Sequence, residues 1–122
     1  MFLYTTMIAS MSDGGTATLS TQTTGWMERQ GDHLFSTLIA KDMTADSQFK
    51  LSVFHKARET AGDGTSAASD TITTDGSLQL EASGLLELVR YEVEFSYTGS
   101  ANGTTVHGLQ RLLAPQWQWT GA

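Results

Sequence analysis

Apolar residues along this chain recur mainly at every second position, in short runs separated by Gly-containing turn signals. A period of two is that of strands with one buried face, and helical spacing is hard to find. In Gln48 to Lys56, Phe49, Leu51 and Val53 fall on one side and Lys50, Ser52 and Lys56 on the other, with Phe54 breaking the polar side. His55 extends the inward register, which predicts a partly buried histidine with a backbone partner. The clearest strand is Leu86 to Tyr97, where Val89, Tyr91, Val93, Phe95 and Tyr97 share a face opposite Arg90, Glu92, Glu94 and Ser96. Leu34 to Lys41 reads as another strand, and in Thr104 to Leu112 Val106, Gly108 and Gln110 alternate with His107, Leu109 and Arg111.

Turn chemistry sets the expected boundaries. Asp75-Gly76 predicts a tight hairpin joining Asp70–Thr74 to Ser77–Ala82, with Leu78 and Leu80 inward. Asp13-Gly14-Gly15 is expected to turn a first strand into Thr16 to Gln22, and Gly25-Trp26-Met27-Glu28 to open a short piece leading to Gly31-Asp32. Asn102-Gly103 marks a further turn. Arg58 to Ser69 is rich in small residues without periodicity and is expected to be an exposed, mobile loop. Seven to nine short strands with turns roughly every ten residues predict an all-β antiparallel sandwich, Ig-like or jelly-roll-like, with the connections left open. The sandwich is expected over residues 1–114, with the only proline, Pro115, setting off an aromatic tail at 115–122.

Composition narrows the chemistry. The 122 residues suffice for one domain, and the absence of cysteine removes thiolate nucleophiles, disulfides and thiolate metal sites. Thirteen acidic against seven basic side chains, a net charge of -6, disfavour nucleic acid as a partner. No window has the apolar length of a membrane helix, and the Met1 to Met11 stretch, lacking the basic start of a secretory signal, is read as a strand. His33, His55 and His107 lie on three different elements, so no metal site is assigned. There is no Gly-x-Ser-x-Gly elbow, and the Asp-Gly turns lack the spaced carboxylates of a calcium loop. Asn102-Gly103-Thr104 fits a glycosylation triplet but is sufficiently explained as a turn. No cofactor is expected, and no catalytic constellation is recognised.

The aromatic residues are more informative. Trp26, Trp117 and Trp119 lie outside the clearest core strands, and Trp117 and Trp119 face the same way if the tail is extended. Such side chains close the end of a core, anchor a protein partner, or form platforms for sugar rings.

The succession Phe49-Lys50-Leu51-Ser52-Val53-Phe54, the loop Gly62-Asp63-Gly64, Asp70-Thr71-Ile72-Thr73 and Leu86-Glu87-Leu88-Val89-Arg90-Tyr91-Glu92-Val93 resembles the small β-sandwich domains of tailed-phage virion proteins. The acidity, the lack of cysteine and the abundance of Thr, Ser and Gly are similar to those of head decoration, or cement, proteins. That resemblance implies a non-enzymatic protein on the outer capsid surface, bound to the major capsid protein lattice and to neighbouring copies of itself, and a closed homo-oligomer, a trimer or a dimer, is expected. It implies no catalytic residues and no membrane partner. Phe2, Tyr4, Trp117 and Trp119 are then the expected interface residues. The alternatives are a carbohydrate-binding module, with Trp26, Trp117 or Trp119 as the platform, and another virion component such as a tail or fibre subunit.

Overall fold

The computed structural model describes residues 5–10, 17–59, 62–99 and 105–120. Its ten strand segments are β1 (Thr5–Ser10), β2 (Ala17–Thr23), β3 (Met27–Glu28), β4 (His33–Lys41), β5 (Ser47–Lys56), β6 (Thr65–Ile72), β7 (Gly76–Ser83), β8 (Leu88–Tyr97), β9 (Thr105–Leu112) and β10 (Gln116–Gln118). They form two antiparallel sheets that pack face to face. In the first, β1 pairs with β9, and β4 lies between β7 on one edge and both β9 and β10 on the other. In the second, β8 lies between β5 and the pair β2 and β3, and β6 forms the outer edge beyond β5.

Two pairs of segments are single strands interrupted by a bulge. Leu112 stands opposite Leu38 and the Leu113 amide still donates to the Thr37 carbonyl, yet Gln116 stands opposite Phe35. Ala114 and Pro115 therefore share one position across from Ser36, and the bulge accommodates a proline that has no N–H for the ladder. On β8 the Thr24 amide reaches the Tyr91 carbonyl while Met27 pairs with Val89, so Gly25 and Trp26 share the position opposite Arg90. Merging each pair gives eight strands, whose sheet orders of 1-8-3-6 and 2-7-4-5 make a double-sheet jelly roll.

The core follows the period-two pattern. Leu34, Leu38 and Ala40 from the first sheet meet Phe49, Leu51, Val53, Val89, Tyr91 and Phe95 from the second, and all are almost wholly buried. The rings of Phe49 and Phe95 sit 4.8 Å apart, and Gly108 on the facing β9 leaves them room. A Cβ at that glycine would come within 3.1 Å of both rings. A polar link crosses the core, with Ser36 Oγ and Tyr91 OH 2.5 Å apart between the two sheets.

Three local expectations are corrected. Asp75-Gly76 does not make a hairpin, because β6 belongs to the second sheet and β7 to the first. Instead the Asp75 carboxylate accepts hydrogen bonds from the Asp42 and Met43 amides at 3.1 and 3.0 Å, tying this crossing to the β4–β5 turn. Likewise β1 and β2 lie in different sheets, so they are not hairpin partners, while the turn residues Asp13 to Gly15 lie outside the described residues. Finally, the expected loop ends at Gly64: Thr65 to Ser69 are already in β6. This edge strand shows no strict alternation because its residues are small and only half-covered, so neither face was marked by large side chains.

Candidate functional site

One end of the jelly roll gathers the segments 29–32, 57–59, 62–64, 84–87 and 119–120. Gly84, with φ of 62°, takes the chain out of β7 in a conformation that suits glycine, after which Leu85 turns into the core and Leu86 outward. The Leu85 amide donates to the Asp32 carbonyl at 3.2 Å, and the Leu86 amide to His55 Nδ1 at 3.1 Å. His55 is thus held as the tautomer protonated on Nε2, and burial lowers its pKa. The Arg29 amide donates to the Glu87 carbonyl and its guanidinium to the Leu85 carbonyl. Arg58 bridges the rim, with Nη2 2.8 Å from Glu28 and Nε 3.5 Å from Glu87; the hydrogen bond to Glu28 leads the upward shift of its pKa.

The C-terminal segment is docked on this end. Gln116 to Gln118 pair with β4, and Trp117, opposite Leu34, packs against the core. Gly31 approaches the Gln118 backbone so closely that a Cβ would come within 2.5 Å of its carbonyl oxygen. Beyond the strand, the nearly buried Asp32 carboxylate accepts both the Thr120 amide and the Thr120 hydroxyl, each at 2.8 Å. Trp119 between these anchors stays 61% exposed, with the Arg29 guanidinium 5.3 Å from its ring centre. Leu86, 44% exposed, is the other exposed large apolar side chain among the described residues, and both lie at this end.

A second aromatic group lies on the outer face of the second sheet. The Arg90 guanidinium stands 4.5 Å from the Phe54 ring centre and 5.3 Å from that of Trp26, and Lys56 Nζ is 4.5 Å from the Trp26 ring centre. Lys56 also donates to the Gly62 carbonyl at 3.0 Å. Gly64, at φ of 72°, packs against the His55 carbonyl and the edge of Trp26, a position with no space for a side chain.

The three tryptophans are therefore distributed: Trp26 on a sheet face under two cations, Trp117 against the core, Trp119 in the open. Among the described residues no ring contact joins any two of them. Phe2 and Tyr4 lie outside the described residues. Among the described residues no group of three or more His, Asp or Glu side chains converges as a metal site would require. Arg29, Asp32 and Leu86 carry no signal of a site in the sequence; Asp32 read only as part of a turn, and Leu86 as the start of a strand. The Phe54–Arg90 contact did leave a trace, in the aromatic that breaks the polar side of its strand.

No family model, curated protein or solved structure matches this chain.

Proposed function

We propose that this protein is a capsid decoration protein of a tailed phage, which binds the outside of the major capsid protein lattice and stabilises it by surface complementarity. The observation that supports this reading most is that the exposed large apolar side chains among the described residues, Trp119 and Leu86, lie on the same end of the jelly roll with an ordered rim around them. An exposed tryptophan held beside an arginine has the character of an interface anchor, which costs little side-chain ordering on docking. The net charge of -6 keeps such a protein off packaged DNA and on the protein shell. A cement protein that engages two capsomers gains from effective concentration, so a modest end surface suffices.

The anchors in this reading are Trp119 and Leu86. Trp117 belongs to the core packing, so removing residues 115–122 would disturb the sandwich as well as any docking surface. The test is cosedimentation of the purified protein with phage capsids lacking their decoration protein. Saturable binding that raises the heat resistance of the capsids, and is lost in Trp119→Ala and Leu86→Ser variants of unchanged melting temperature, is the expected result. No binding to any such capsid, or binding indifferent to both variants, would reject the reading. Oligosaccharide binding abolished by Trp119→Ala would instead favour the carbohydrate alternative.

A further inference from the structure

The outer face of the second sheet carries its charges in a definite order. Along β8, Arg90, Glu92 and Glu94 point the same way, and their partners on β5 are Phe54, Ser52 and Lys50. Arg90, Lys56, Trp26 and Phe54 lie on one half of the face, with Glu28 at its end engaged by Arg58, while Glu92, Glu94 and Lys50 lie on the other half. Most of the remaining side chains on this face, including Thr21, Thr23, Ser52, Ser66, Ser69 and Thr71, are short, neutral and polar. Among the described residues neither Arg90 nor Lys56 forms an ion pair.

We propose that this face is a twofold self-association surface, on which a second copy of the chain docks with Arg90 of each copy on Glu92 of the other. A twofold axis lying in the interface, perpendicular to β8 and passing between Arg90 and Glu92, places residues at equal distances on either side of it opposite each other. Arg90 then faces Glu92 of the second copy, and Phe54 faces Ser52. Trp26, level with Arg90 at the interruption of β2 and β3, comes over Thr23. At the rim, Lys56 comes level with Lys50 of the second copy, whose cross-strand neighbour is Glu94, so that position retains a compensating carboxylate.

Area and residue type both fit this occupant. Four strands about 4.8 Å apart and about 34 Å long offer about 600 Å² per copy, so a pair would bury about 1,200 Å², the lower bound of a specific interface. At that size the energy must come from a few side chains, and Trp, Arg and aromatic residues at the centre are the types that supply it. Arg90 is already ordered over two rings, so it loses little freedom when it meets a carboxylate. This proposal uses a different surface from the docking end and does not depend on the capsid reading.

The experiment is sedimentation velocity on the full chain at physiological salt, for the native protein, Arg90→Glu, Glu92→Arg, and an equimolar mixture of the two variants. Each single variant places like charges at two symmetry-related contacts, expected to weaken dimerisation about tenfold per contact and about a hundredfold together. The mixture restores both contacts, because the Arg90→Glu copy is acidic at both positions and the Glu92→Arg copy is basic at both. The expected result is a native dimer, two monomeric variants, and a heterodimer in the mixture. Recovery in the mixture also shows that neither variant lost dimerisation by misfolding. A native monomer at high micromolar concentration, a dimer indifferent to both substitutions, or a mixture that stays monomeric would each overturn the proposal.

Discussion

The hydroxyl pair Ser36–Tyr91 joins the two sheets by a polar contact through the core, and its removal has a calculable signature. Both residues are buried, Tyr91 completely, and the oxygen–oxygen distance is 2.5 Å. Tyr91→Phe keeps the ring and its packing but leaves the Ser36 hydroxyl without this partner, at an expected cost of about 1–3 kcal/mol. Ser36→Ala leaves the Tyr91 hydroxyl unpaired, at a similar cost. The double variant strands neither group, so it should lose clearly less than the sum, with a coupling of about 1 kcal/mol or more. Urea unfolding followed by tryptophan fluorescence reads this as midpoint shifts at constant slope. Additive losses, or single variants within about 0.3 kcal/mol of the native protein, would refute the reasoning. The same contact has a pH signature. Burial pushes the Tyr91 hydroxyl up to about 12, outweighing the hydrogen bond from Ser36 that lowers it. The native state thus keeps a proton that the unfolded chain releases near pH 10, and stability should fall as pH rises from about 10 to about 12.

Three further outcomes are expected. Gly108→Ala should destabilise by about 1–3 kcal/mol, because its methyl group meets the Phe49 and Phe95 rings, and a smaller thermal shift in Gly108→Ala combined with Phe49→Leu would identify crowding as the cause. Acid should destabilise the protein as pH falls below about 6.5, since burial lowers the His55 pKa and the unfolded chain takes up the proton first; His55→Asn, which keeps an acceptor for the Leu86 amide, should flatten the melting temperature over that range. Asp32→Ala removes the acceptor of two hydrogen bonds to Thr120, so the expected loss is about 1.5–3 kcal/mol, with a Trp119 emission change read in a background carrying both Trp26→Phe and Trp117→Phe.

The sequence alone determined the strands with strongly alternating large side chains. Along β8 the inward residues Val89 to Tyr97 are all buried, and β5, β4 and β9 follow the same rule, because a two-residue period commits every side chain to one face. It also determined the class, a sandwich, since so many half-buried strands need a second sheet to cover them. What only the tertiary structure decided is which strands are neighbours. Asp75-Gly76 has the local chemistry of a hairpin, yet pairing is settled by the packing of both sheets, and the chain crosses between them there. The same holds for the edge strand β6, whose small residues give no pattern and whose structure comes from the β5 ladder. The sites depend on such distant pairings. Asp32 meets Thr120 and Leu86 meets His55 because strand ends converge, and Arg90 meets Trp26 because the interruption between β2 and β3 lies opposite it; no spacing along the chain encodes these meetings.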